Sequence, residues 1–256
     1  MLTRLMVVVL FGCCATEVRA EFKLTQIERS ASLAPFIVGG APADPDLWPA
    51  TLIFDAPNRC TATVVGPKAI LTAAHCLDGS TSGEALINGQ TLALKCQTNP
   101  KYPADTTADI AMCGASSTIT APNLKYEVLN TDAATVKAGD SIVLLGYGCL
   151  AEGGPVSDTL YVGSATVKKI PVKFNRYEVQ GGAKLCGGDS GGAGYVMLDS
   201  TTRIVFGVNE SQVPGTKTSY LSSVSTADDA SFIKLWGATT GNKICGLDGG
   251  LADCRQ

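Results

Sequence analysis

The chain has 256 residues, is 45% hydrophobic and 17% charged, and carries a formal net charge of −3. That length and composition suit one large packed domain or two small ones, and the mild negative charge gives no sign of the basic face that a nucleic-acid binder needs. Glycine is abundant, with 28 residues. Turn signals recur among Thr-, Ser- and Val-rich segments, which favours many short strands over a helical bundle.

The N-terminus reads as an export signal. Arg4 supplies positive charge, Leu5 to Phe11 form a short apolar run, and Val18-Arg19-Ala20 offers a cleavage site after Ala20, so residues 1–20 are expected to be a signal peptide. The apolar run is too short for a membrane-spanning helix. An alternative is Leu10-Phe11-Gly12-Cys13, which loosely resembles a lipoprotein signal and would leave Cys13 as a lipid anchor, although Phe11 is bulky for that motif. Otherwise no membrane attachment is expected once the signal is gone. Residues 21–36, ending in Ala34-Pro35-Phe36, read as a pro-segment, with the main domain over 37–256.

From Ile37 onward short β-rich runs appear at Ala50–Phe54, Ala62–Val65, Ala69–Ala73, Thr91–Leu94, Ser141–Leu145, Thr159–Val167, Arg203–Val208 and Ser219–Val224, separated by Gly, Pro, Asn and Asp. No helical periods intervene, so an all-β sandwich or barrel is expected. One helix is predicted near the end. Ser225 or Thr226 caps it, Asp228 and Asp229 suit its positive N-terminus, and Phe232, Ile233 and Trp236 share a face.

Three segments have the residue types for nucleophilic catalysis. A serine hydroxyl is a poor nucleophile without an adjacent base, a group that orients the base, and donors for the developing oxyanion. Ser190 lies in Cys186-Gly187-Gly188-Asp189-Ser190-Gly191-Gly192. Such a turn can aim the Gly188 and Ser190 amides at one point, but a flexible glycine-rich loop fits the same residues. His75, the only histidine, ends the run Leu71-Thr72-Ala73-Ala74 and precedes Cys76. Asp109 opens the apolar run Ile110-Ala111-Met112, where a carboxylate is costly to bury without a partner. A strand-edge turn aspartate is the alternative there.

Together with Ile37-Val38-Gly39-Gly40 and Gly146-Tyr147-Gly148, these segments resemble, in order, the trypsin/chymotrypsin family of serine peptidases over nearly all of 37–256. The resemblance implies two antiparallel six-stranded β-barrels with the active site between them. It also implies a catalytic triad of Ser190, His75 and Asp109 working through an acyl-enzyme, and an oxyanion hole from Gly188 and Ser190. Cleavage before Ile37 would free an amine that pairs with Asp189. Phe36 in front of that bond argues against a trypsin-like activator and calls for a separate activating peptidase that accepts an aromatic residue, or for another of unknown preference. Protein or peptide substrates, secretion to an extracellular or periplasmic compartment, and a monomeric state are expected.

Cys60 and Cys76 match the family bridge beside the histidine. Cys245 and Cys254 would staple the C-terminal tail, and Cys96 and Cys113 flank the Asp109 segment. Cys149 is left with Cys186, which is not that cysteine's usual family partner. An even number of cysteines after the signal in an exported chain favours disulfides. No cofactor or metal is expected: no Cys-x-x-Cys follows the signal, histidine is single, and no acidic cluster of the calcium-loop kind lies between His75 and Asp109.

In the family, the base of the primary specificity pocket lies six positions before the nucleophile, here Lys184. A lysine there selects an acidic substrate residue, points to solvent or pairs with a neighbouring carboxylate, and trypsin-like specificity is not expected on any of these readings. Asn209, Glu210 and Ser219 are the remaining candidate pocket residues. Glu210 is placed to neutralise Lys184, and Asn209-Glu210-Ser211 is also a glycosylation sequon. Two other classes were weighed. A catalytically silent binding module would be expected to lack a triad member, and a different hydrolase would carry a Gly-x-Ser-x-Gly elbow, which is absent around Ser190.

Overall fold

The computed structural model describes residues 37–199 and 202–255. The expected signal, the pro-segment, Cys13 and Phe36 lie outside the described residues. The first strands are β1 (Ala41–Pro42), β2 (Thr51–Asp55), β3 (Arg59–Gly66), β4 (Ala69–Thr72), β5 (Ser82–Ile87), β6 (Gln90–Thr98) and β7 (Ala111–Ala115). Strands β2 to β7 close into an antiparallel barrel in the order β2-β3-β4-β7-β6-β5, sealed by the pairing of β5 with β2.

The second set comprises β8 (Ser141–Gly146), β9 (Tyr161–Lys169), β10 (Arg176–Gln180), β11 (Ala193–Met197), β12 (Arg203–Gln212) and β13 (Thr218–Ser223). Their order is β9-β10-β13-β12-β11-β8, and β8 pairs back with β9 to close a second six-stranded barrel, to which β1 adds along β9. Closure leaves neither six-stranded sheet with a free edge among its own strands. Its core gathers Ile142, Leu144, Val167, Tyr177, Phe206 and Leu221, with Ile37 among them. Helix α1 (Ala227–Thr240) follows, capped by Thr226, whose side chain accepts from the Asp229 amide. Ile233 and Trp236 are buried on its inner face and Phe232 is half-buried. Among the described residues no helix is long and apolar enough to cross a membrane.

The structure therefore has the expected two barrels and C-terminal helix, and five strands beyond the eight runs read from sequence: β1, β5, β7, β10 and β11. The segment between the barrels is stitched to both. Glu127 donates its amide to Val64 on β3, and Asn130 donates to Val205 on β12. Beneath that segment Glu127 is fully buried, and it accepts from Arg203 Nε at 3.0 Å and Nη2 at 2.5 Å, with Arg255 at 3.3 Å. The Arg203 guanidinium stacks 3.5 Å from the Trp48 ring centroid, a use of its planar charge that lysine would not reproduce.

Breaking a buried ion pair on one side strands the other charge. Arg203→Met is expected to lower unfolding free energy by about 3–5 kcal/mol. Arg203→Met combined with Glu127→Met should recover most of that loss, as read from urea denaturation of both proteins.

Candidate active site

His75 lies in a short 3-10 turn, Ala74–Leu77, that directly follows β4. Asp109 sits two residues before β7, and β7 pairs with β4, so barrel closure brings the two together. The bond is two-pronged. The His75 amide donates to Asp109 Oδ1 at 2.8 Å, and the ring Nδ1 donates to Oδ2 at 2.5 Å. Asp109 is 2% exposed, while the imidazole keeps an open side. Holding the proton on Nδ1 leaves the Nε2 lone pair free in the neutral ring. Burial presses the His75 pKa down, but the hydrogen bond and charge of Asp109, with the charge of Glu210, outweigh it and leave the imidazole above its ordinary value.

Ser190 is presented by a turn that docks on the first barrel. Thr61 donates its amide to the Ser190 carbonyl at 2.8 Å and its hydroxyl to the Gly188 carbonyl at 2.7 Å. Gly191 has φ of 83°, and a Cβ there would overlap Thr61, Thr72 and Ala73. Only glycine lets the nucleophile turn come this close to the strand that ends three residues before His75. The Ser190 hydroxyl lies 3.5 Å from the Glu210 carbonyl. It forms no hydrogen bond with His75 in this rotamer. Among the described residues, neither the Gly188 nor the Ser190 amide donates to a protein acceptor.

Asp189 is completely buried and its carboxylate accepts from the amides of Gly148 and Cys186, each at 2.8 Å. No cation among the described residues pairs with it, and burial pushes its pKa up to about 7. Ile37 is itself 1% exposed, and Lys184 donates its amide to the Val38 carbonyl at 2.9 Å.

The candidate pocket residues separate. Lys184 is buried and its ammonium binds Glu152 Oε2 at 2.9 Å, so the paired reading of this lysine holds and the expected partner, Glu210, is wrong. Glu210 instead pairs with Arg176 at 2.7 Å and accepts from Ser222 at 3.2 Å, Arg176 reaching it from β10 across the intervening strand β13. Asn209 is not a pocket wall either. Its side chain is fully buried and donates to the carbonyls of Leu145 and Asp189, bracing the nucleophile turn from behind and leaving no exposed amide for a glycan. Ser219 is buried and accepts from the Leu185 amide at 3.0 Å.

Sequence reasoning missed Thr61, Arg176 and Glu152. The first was readable only as a strand residue beside Cys60. The other two are charges whose partners lie more than thirty positions away.

Disulfides join Cys60 to Cys76, Cys96 to Cys113, Cys149 to Cys186 and Cys245 to Cys254. The one cluster of metal-ligating residue types among the described residues is Cys60, His75 and Cys76. Its two sulfurs are bonded to each other, which leaves no thiolate for an ion.

Comparison with known proteins adds family and fold. The Trypsin family profile matches residues 37–229. Chymotrypsin-2 of Vespa crabro is 28% identical over 177 residues, covering 61% of this chain and 81% of that protein. Transmembrane protease serine 11E of Mus musculus is 26% identical over 213 residues, 70% of this chain but 47% of that protein. Brachyurin of Leptuca pugilator is 48% identical over a stretch of 46 residues, 17% of this chain and 20% of that protein. Human heparin binding protein superposes with a TM-score of 0.66 at 19% identity, covering 82% of this chain and 99% of that one, a likeness that concerns the fold alone.

Because His75 is the only histidine, its ring resonances can be titrated without assignment in protein lacking a histidine tag. The imidazole is expected to titrate above 6.5, and Glu210→Gln, by removing a negative charge, should move the midpoint down. Asp189 gives a second test. A carboxyl whose folded pKa exceeds its unfolded value binds its proton more tightly when folded, so its contribution to stability is greatest in acid and declines as pH rises from about 4 to about 7. In the uncut chain, Asp189→Asn should flatten that part of the slope of unfolding free energy against pH.

Proposed function

The chain belongs to the trypsin family of serine endopeptidases, which act on proteins or peptides, and from that membership we propose that Ser190, His75 and Asp109 are its catalytic triad. In this reading Ser190 turns its hydroxyl from the Glu210 carbonyl to His75 Nε2 when substrate binds. The imidazole takes the hydroxyl proton as Oγ attacks the scissile carbonyl, then passes it to the leaving amine, giving an acyl-enzyme that water hydrolyses by the same steps. Asp109 holds the ring in the required tautomer and stabilises the imidazolium. The free amides of Gly188 and Ser190 receive the oxyanion. The observation that carries the reading is the docking of the Ser190 turn against Thr61, Thr72 and Ala73, beside a histidine doubly bonded to a buried aspartate.

We further propose that the chain is made as a secreted, monomeric precursor, with a signal over 1–20 and a pro-segment over 21–36. Cleavage before Ile37 by an activating peptidase that accepts Phe36 would supply an ammonium to Asp189. A buried carboxylate with two amide donors and no cation among the described residues supports this, because an ammonium would relieve the desolvation that raises its pKa. The four disulfides support an oxidising compartment. Lys184 argues against cleavage after Arg or Lys, since two cations would meet in the pocket.

The test is the protein opened at Ile37, treated with a fluorophosphonate probe and given casein. Labelling of the cut form is expected, with none in Ser190→Ala. That variant should lose about 10⁶ in kcat, and Asp109→Asn about 10⁴. Absent labelling in the cut form, or casein cleavage indifferent to Ser190→Ala, would overturn the triad.

A further inference from the structure

Residues 168–176 join β9 to β10 and carry four cations, Lys168, Lys169, Lys173 and Arg176. The chain as a whole has a net charge of −3, yet no acidic residue occurs between Asp158 and Glu178. The apolar side chains of the same connection face water. Val172 is 89% exposed, Phe174 54% and Ile170 41%, so three of the eight exposed large hydrophobic residues among the described residues fall within five positions. A connection of this length needs only turn formers, and at such exposure the three side chains serve neither barrel's core. Clustered apolar exposure rimmed by charge marks a surface that meets something else. The lysines are as little engaged. Lys168 and Lys173 form no ion pair among the described residues, and Lys169 reaches Glu178 at 2.7 Å from a side chain that is 73% exposed. The Lys173 ammonium lies 5.4 Å from the Phe174 ring centroid, which keeps charge and apolar surface on one patch.

The occupant follows from the two chemistries together. A protein partner would cover the apolar side chains, but lysine is depleted at protein contacts. A soluble polyanion would take the lysines and leave Val172 and Phe174 in water. An anionic lipid surface satisfies both, because apolar side chains enter the headgroup region while ammonium groups stay at the phosphates. We propose that residues 168–174 dock this protein on an anionic membrane surface, with Ile170, Val172 and Phe174 entering the interface and Lys168, Lys169 and Lys173 held by lipid headgroups. The docking needs no catalysis and stands apart from the peptidase reading. The base of the loop is fastened to the candidate site. Asn175 donates its amide to Thr107 Oγ1 at 3.0 Å and its side-chain amide to Asp105 Oδ2 at 3.2 Å, and its carbonyl accepts from the Ser223 amide at 2.7 Å. Arg176 is paired with Glu210. The docked loop is thus tied directly to the segment that leads into Asp109 and to the strand that carries Glu210.

The experiment uses the protein opened at Ile37, so that the apolar run Leu5 to Phe11 takes no part, and reads co-sedimentation with lipid vesicles. Binding is expected to phosphatidylcholine vesicles containing about a third phosphatidylserine, and not to phosphatidylcholine alone. Changing Lys168, Lys169 and Lys173 together to Gln should weaken it about a hundredfold. Val172→Ser combined with Phe174→Ser should weaken it at least about tenfold. All five positions are exposed, and unchanged urea midpoints check that both variants fold. Trp48 and Trp236 are buried, so in Phe174→Trp a blue shift of emission on adding the anionic vesicles reports this loop leaving water. No sedimentation with the anionic vesicles, or sedimentation without the blue shift, overturns the proposal. Binding that falls with the lysines but ignores Val172 and Phe174 also overturns it, because that is the behaviour of a purely electrostatic polyanion site.

Discussion

Thr61 ties the two barrels together at the point where chemistry would occur. Its amide and hydroxyl hold the Ser190 and Gly188 carbonyls, and its hydroxyl oxygen in turn accepts from the Tyr147 amide at 3.1 Å. One residue of β3 thereby fixes the nucleophile turn and the start of the loop after β8, relative to the strand leading to His75. A buried hydroxyl that both donates and accepts serves two partners at once, and its loss would leave a buried carbonyl and a part-buried amide without it. The close approach at Gly191 acts with it: the hydrogen bonds set direction, and the missing Cβ sets distance. Precise placement of this kind, rather than any single strong bond, is what a proton transfer between groups on separate barrels requires.

Around that joint, the fold handles buried charge by giving each group a different kind of partner. Asp109 meets the one imidazole in the chain, in two hydrogen bonds that fix the ring. Glu127 is matched by arginines and an aromatic face, an arrangement that serves packing between the barrels. Glu210 is matched by Arg176, whose guanidinium also stacks 4.0 Å from the Tyr220 ring, so a second carboxylate can stay near His75 without a free charge in the core. Asp189 has only backbone amides for partners among the described residues, and burial drives its pKa up to about 7, as it does that of Asp229, whose partners are Asn99 and Thr226.

Much of this was legible in the sequence, but unevenly. The motifs around His75, Asp109 and Ser190 could be read because their glycines, alanines and cysteines are local consequences of tight turns and close contacts. Strand β10 carried a readable signal too: Arg176-Tyr177-Glu178-Val179-Gln180 alternates half-buried and buried side chains, though five residues beside a polar loop are a short sample. Strand β11 was hidden by its glycine and its junction with the nucleophile turn. The sidedness of Asn209 and Glu210 was not readable at all, because β12 shifts register against β13 between Asn209 and Ser211, and a bulge breaks the simple alternation that assigns faces. Partner choice failed for a related reason. Lys184 and Glu210 are near in sequence terms, but the chain path brings Glu152 to one and Arg176 to the other, and only tertiary structure reveals that.

The Cys149–Cys186 bridge joins these observations. The two amides that cradle the Asp189 carboxylate belong to Cys186 itself and to Gly148, the neighbour of Cys149. The disulfide therefore clamps both walls of the cradle, and on its outer side it carries the loop that brings Glu152 to Lys184. Covalent closure restricts how far those walls can separate, so the cradle is assembled whether or not a cation has arrived. Under the proposed activation, an ammonium would then find the donors already in place, and its electrostatic gain would go into neutralising the carboxylate rather than into reorganising them.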